Sequence, residues 1–181
     1  MLQYERGGEG VTILNMDLRT IVRTAVIAGV AIAFQALNLR QPITGPGINA
    51  ILYVASIYIG PVSGVLVGLL TPWIALITGI MGFAPAVPVI MAGNATLALV
   101  SGFLHRFNRY LAMGLAALGK FAVMTLGIKY LIAQGTQVPA PAYTSLTVTQ
   151  LITALAGAVV ASVVLGGLER FGGNGHGRSC S

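Results

Sequence analysis

From Gln41 to Leu104 the chain carries no Asp, Glu, Lys or Arg. That length far exceeds the roughly 20 apolar residues that cross a bilayer as one helix. It therefore reads as consecutive membrane spans, because a soluble core element shows a polar face every few residues. Gly and Pro punctuate the stretch, at Gly45-Pro46-Gly47, Gly60-Pro61, Thr71-Pro72-Trp73 and from Gly82 to Pro88. Its polar side chains are few and isolated, with Asn49, Thr71, Thr78 and Asn94 the notable ones. Such a stretch fits the lining of a small-molecule site in a membrane better than a passive anchor.

The rest of the chain agrees. Of 181 residues 56% are hydrophobic and 8% charged, and the mean hydropathy is +0.87, values of the integral membrane class. The expected fold is an all-α integral membrane bundle of six transmembrane helices, a single domain over residues 17–168 between flexible cytoplasmic tails at 1–16 and 169–181. The spans are drawn at Leu18 to Leu37, Ile48 to Ile59, Val62 to Ile80, Pro85 to Leu104, Tyr110 to Ala133 and Ser145 to Leu168. The second is short for a crossing: it tilts, begins nearer Pro42, or enters the membrane partway. Asp17 is placed to cap the first helix. A cleaved signal peptide is the competing reading of the first apolar run, but its removal would leave an odd number of spans and a reversed charge bias.

The net charge of +6 would point to nucleic acid in a soluble chain. Here the basic residues fall mostly between apolar runs, so they report topology and no nucleic-acid partner is expected. With both termini in the cytoplasm, Arg6, Arg19, Arg23, Arg106, Arg109, Arg170 and Arg178 lie inside, and only Arg40 lies in an outer loop. The positive-inside rule selects that orientation. Cys180 is the sole cysteine, which supports neither a disulfide framework nor a cysteine metal cluster.

Small residues recur at every fourth position: Ala25, Gly29 and Ala33 on the first helix, Gly60, Gly64 and Gly68 at the start of the third, and Ala154, Ala158, Ser162 and Gly166 on the last. Such faces let helix backbones approach where lipid gives no hydrophobic drive for association. Internal packing accounts for the third and last helices. The first-helix stripe can equally face a second protein.

Six short spans in this order, the Arg-flanked first helix with its Ala25-x-x-x-Gly29-x-x-x-Ala33 stripe, the Gly60-Pro61 link before Gly64 and Gly68, and a Pro-rich outer loop before Asn94 together resemble the substrate-binding S component of energy-coupling factor (ECF) transporters. The resemblance covers Asp17 to Leu168. It implies capture of a vitamin or related micronutrient from outside, in the cell membrane of a prokaryote. It further implies docking of the Ala25, Gly29, Ala33 stripe on a transmembrane coupling subunit that works with two ATPase subunits. The family motif has alanines, so Gly29 at the centre is a departure.

The subunit itself is then expected to be non-enzymatic and to hold no cofactor. Gly114-Leu115-Ala116-Ala117-Leu118-Gly119-Lys120 matches the spacing of a phosphate-binding loop up to its lysine. Phe121 stands where that motif needs Ser or Thr, and no strand precedes it, so the match is a coincidence of spacing. There is no HExxH, no G-x-S-x-G and no pair of membrane carboxylates, so catalytic residues are not expected. His105 and His176 are the only histidines, so no metal site is expected either.

The candidate ligand-binding residues are Asn38, Arg40, Asn49, Trp73, Asn94, Lys120 and Lys129. Asn94 lies about 14 Å along its helix from Pro85, so its amide must meet a partner helix or a ligand. Lys120 either snorkels toward the cytoplasmic surface or is directed at a cavity. Lys129 is near the outer end of its helix, where it can snorkel or border an outward pocket. Arg40 and Asn38 sit at the outer end of the first helix, as solvated loop groups or ligand contacts. Asn49 either caps the second helix or faces the site. Trp73 belongs to the aromatic belt or stacks on a ring. The uncharged outer loop from Gln134 to Tyr143 covers a pocket or merely links two spans. The cationic residues lean toward a carboxylate or phosphate on the ligand. A non-catalytic membrane subunit of a redox or assembly complex is the alternative, in which the small-residue faces are protein interfaces and no pocket is needed.

Overall fold

The structure is a computed structural model and describes residues 17–39 and 41–173. The two expected tails, apart from the stretch up to Gly173, and Arg40 lie outside the described residues. Within them the chain is all helical, with no strand: α1 (Leu18–Ala36), α2 (Gln41–Val54), α3 (Pro61–Ile77), α4 (Val87–Leu104), α5 (Arg109–Ala133), α6 (Ala140–Leu146) and α7 (Val148–Gly173). Six of these are spans; α6 is a short helix between α5 and α7.

Of the readings open for the second span, the structure shows the one that begins nearer Pro42. Gly45-Pro46-Gly47 reads as a break, yet α2 begins at Gln41, runs through it, and continues into a π turn at Ala55–Ile59. Pro42 supplies the preset φ that suits a first turn, whereas Pro46 lies inside the helix and leaves the Pro42 carbonyl without its usual donor four residues on. The segment Pro42–Ile59 is then 18 residues, about 27 Å at the helical rise. α3 has 17 residues, about 25 Å, and is the shortest span. Asp17 does precede α1, but its side chain makes no capping bond; its backbone carbonyl accepts from Thr20 and Ile21 instead. Asn108 is the side-chain cap, accepting from the backbone N–H of Tyr110 and Leu111 at the start of α5.

Arg19, Arg23, Arg106, Arg109 and Arg170 lie toward the start of α1, the α4–α5 turn and the end of α7, the end of the bundle that the positive-inside rule assigns to the cytoplasm. Arg109 and Glu169 form an ion pair there between α5 and α7. The inner half is filled by apolar side chains, among them Leu52, Tyr53, Leu97, Met113, Ala117 and Leu165, all buried. The Tyr53 hydroxyl donates to the Met113 carbonyl at 3.0 Å, so the largest buried side chain leaves no polar group unmet. Across the bundle Ser56 and Ser101 share a 2.8 Å hydrogen bond, and Thr24 donates to Ser63 at 2.7 Å, tying α1 to α3.

Close backbone approach occurs where the small residues allow it. A Cβ at Gly64 would lie 2.7 Å from the Ser56 side chain, and one at Gly68 3.0 Å from Asn94 Cβ, so this stripe is used for internal packing. On α7 the tight point is Gly157, where an added Cβ would meet Asn49 Cβ at 2.7 Å and the Pro46 carbonyl at 2.8 Å. Gly166, part of the expected stripe, has open space around it. The contact face of α7 thus runs through Thr153, Ala154, Gly157, Ala161 and Leu165.

Candidate ligand-binding site

The outer half of the bundle is only partly filled, by a small buried cluster of Ala86, Met124, Ile128 and Leu146. A cavity of about 260 Å³ opens among the end of α1, the start of α2, the end of α3, the first turns of α4, the middle of α5, and α6 with the start of α7. By the orientation above, each helix end at its rim is an outer one. Its lining mixes apolar side chains, with Ile48, Met81, Phe83 and Ile90, and polar ones, with Asn49, Asn94 and Lys120.

The floor is organised by Lys120. It is the twelfth residue of α5, about 16 Å along the axis from Arg109, and is only 3% exposed. Its ammonium donates to Asn49 Oδ1 at 2.7 Å and to Asn94 Oδ1 at 2.8 Å. Lysine has three donors and no acceptor, so both amides must turn their oxygens toward it. Their nitrogens then point away and find acceptors of their own: Asn49 Nδ2 donates to Thr153 Oγ1 at 3.3 Å, and Asn94 Nδ2 to the Gly68 carbonyl at 3.1 Å and to Thr71 Oγ1 at 3.4 Å.

The Gly68 carbonyl is open to Asn94 for a reason written in the sequence. In a helix it would accept from the residue four later, and that residue is Pro72, which has no N–H. From the other side of α3, Gln35 Nε2 on α1 donates to the Thr71 carbonyl at 3.1 Å. A single hydrogen-bonded chain therefore runs Gln35, Thr71, Asn94, Lys120, Asn49, Thr153 and touches α1, α3, α4, α5, α2 and α7 in turn.

Some capacity is left over. Two of the three Lys120 donors are used, and no ion pair to it exists among the described residues. Gln35 Oε1 is buried with no donor. Gln150 on α7, 8% exposed, lines the cavity, and its side-chain amide makes no hydrogen bond among the described residues. Ser145, on α6, lines it too.

Of the residues singled out from the sequence, Asn49, Asn94 and Lys120 come together here. Asn49 lies well inside α2 and is 1% exposed, so it is no helix cap. Lys120 is held by two amides and does not snorkel. Asn38 is exposed at the end of α1, with a left-handed φ of 47°. Lys129 and Trp73 are also on the outside of the bundle, the indole 49% exposed, and none of the three lines the cavity. Ala25, Gly29 and Ala33 are exposed on α1, and a Cβ at Gly29 would meet nothing within 4 Å. The lysine of the phosphate-loop lookalike is thus a mid-helix residue with amide partners. Sequence reasoning passed over Gln35, Gln150 and Thr153 as site residues; the signal available was a cluster of polar residues, Thr147, Thr149, Gln150 and Thr153, opening an otherwise apolar span.

A family model described as "ECF transporter, substrate-specific component" matches residues 19–168. No curated protein and no solved structure is matched.

Proposed function

The chain belongs to the substrate-specific components of ECF transporters, and from that premise we propose that it captures a vitamin or related micronutrient from outside a prokaryotic cell in the Lys120 cavity. As a member of that family it is a multi-pass, non-catalytic subunit that binds a small molecule and works with an energy-coupling module. The observation that carries the site assignment is the Lys120 floor: a buried ammonium held by two asparagines beneath a cavity at the outer ends of the helices. Intramembrane charge is costly and is normally directed at a partner or a wet cavity. No such polar floor is needed by a subunit that serves only as an assembly surface.

Delivery is the second half of the proposal. The exposed Ala25, Gly29 and Ala33 stripe offers a transmembrane coupling subunit a face on which backbones can approach closely. A shallow apolar groove lies beside it between α1 and α3, lined by Ile21, Ala28, Leu66 and Leu70. ATP hydrolysis belongs to two ATPase subunits of the module, and binding followed by docking moves the ligand through differential affinity between the outward pocket and a state opened to the cytoplasm.

The test is to purify the full chain in a mild detergent, denature it and identify the small molecules released. One molecule retained per chain supports capture. Reproducible absence of any retained or rebindable ligand, with redox or assembly proteins retained instead, overturns it.

A further inference from the structure

We infer that the ligand is a compact organic monoanion with a single carboxylate, seated with that carboxylate on the third Lys120 N–H and its apolar body between Ile48, Phe83 and Ile90. The inference rests on the capture reading above and adds the ligand's chemical class.

Charge comes first. Lys120 is the one cationic side chain lining the cavity among the described residues, and no Asp or Glu among them lines it. A buried charge with only neutral partners is left uncompensated. An anion in the cavity supplies what the protein omits, whereas a cationic ligand or a metal ion would meet the ammonium head on. No cluster of His, Cys, Asp or Glu that could hold a metal is present among the described residues.

Donor count separates carboxylate from phosphate. The asparagine nitrogens are already engaged with Thr153, Gly68 and Thr71, so among the described residues the floor offers one charged N–H, whereas a phosphate with close to two negative charges requires several donors and a second positive charge. Gln150 and Ser145 are neutral groups on the same wall and suit the second carboxylate oxygen or a polar substituent. Gln35 Oε1, buried without a donor, is an acceptor that a ligand hydroxyl or amine can meet after a small turn of the side chain.

Size and polarity set the rest. A cavity of about 260 Å³ holds about nine waters' volume at roughly 30 Å³ each and falls just under the usual range for drug-sized ligands. A compact acid fits. The apolar lining of Ile48, Met81, Phe83 and Ile90 favours a hydrocarbon or ring portion in the ligand.

The experiment uses the full chain, freed of retained ligand and reconstituted in nanodiscs. A small-molecule cell extract, split by ion exchange at neutral pH into anionic, neutral and cationic fractions, provides the probes, each with and without phosphatase treatment. Thermal shift and mass spectrometry of the retained molecule are the readouts. Expected is stabilisation by the anionic fraction alone, surviving phosphatase, with a carboxylic acid retained. Binding from the neutral or cationic fraction overturns the inference and leaves capture standing. Loss of the effect on phosphatase treatment also overturns it, in favour of a phosphate ester. No retention from any fraction overturns capture itself, and the inference with it. Asn49→Asp supplies an internal carboxylate to Lys120 and keeps the fold's charge paired. It should lower anion affinity at least tenfold without lowering the melting temperature of the empty protein, and unchanged affinity would count against the carboxylate seat.

Discussion

Asn94 Nδ2 donates to the Gly68 carbonyl at 3.1 Å, taking the place of the N–H that Pro72 lacks. The same side chain accepts from Lys120 with its oxygen. Asn94 is therefore a structural joint and a wall of the cavity together. Asn94→Ala removes one of the two acceptors of Lys120 and leaves the Gly68 carbonyl only the longer 3.4 Å contact from Thr71 Oγ1, and a buried group left unsatisfied costs about 1–3 kcal/mol. The expected outcome is a fall in thermal stability accompanied by at least a tenfold loss of ligand retention. A double-mutant cycle with Lys120→Met should be non-additive; additive losses would separate the two residues.

Gly157→Leu is expected to be far more damaging than its position on a lipid-bathed helix implies. Its Cβ alone would lie 2.7 Å from Asn49 Cβ and 2.8 Å from the Pro46 carbonyl. α2 and α7 must separate, at a cost of about 1–3 kcal/mol or more for overpacking, and the Asn49–Thr153 bond goes with them. Gly166→Ala, in open space, should be neutral. Melting temperatures of the two variants in one detergent make the comparison.

Gly29→Leu should leave ligand retention within twofold of the parent, because nothing lies within 4 Å of the new Cβ. Uptake by the assembled transporter should fall at least tenfold, because a bulky residue on the stripe keeps a partner helix at a distance. Unchanged uptake would remove the docking assignment.

Trp73→Leu and Lys129→Gln provide the control for the cavity assignment. Both side chains are on the outside of the bundle, so retention measured by mass spectrometry should stay within twofold. A large loss in either would mean that the ligand sits elsewhere.

Glu169→Gln breaks the Arg109 pair at the cytoplasmic end. Both partners are partly exposed, and pairs of that kind contribute about 0–1 kcal/mol. The shift in unfolding midpoint should be correspondingly small and should shrink further in high salt.

The span order, the helical class and the orientation were legible because each follows from a coarse physical rule: absence of charge over long runs and arginines gathered at one side. The start of α2 was not. Gly45-Pro46-Gly47 carries strong turn propensity, and packing of this segment against α7 at Gly157 overrides it. The uncharged linker after α5 likewise conceals α6, seven residues that only acquire meaning as a wall of the cavity. For the site, Asn94 and Lys120 stood out because polar groups in lipid are expensive. Trp73 and Lys129 stood out for the same reason, yet a residue's azimuth on a helix with apolar residues on every side cannot be read from periodicity, and theirs turn outward. Gln35 and Gln150 escaped notice near the helix ends, where a polar residue is unremarked.

The order of the Lys120 partners along the chain has its own consequence for biosynthesis. Asn49 and Asn94 both precede Lys120, so a ribosome feeding this protein into the bilayer delivers the two acceptors before the cation that needs them. The lysine then inserts into a half-built bundle with its seat already waiting, and Thr153, arriving last, latches Asn49 in place. A circular permutant that began after Asn94 would reverse that sequence, and the orphaned ammonium would have to wait in hydrocarbon for its amides to be made.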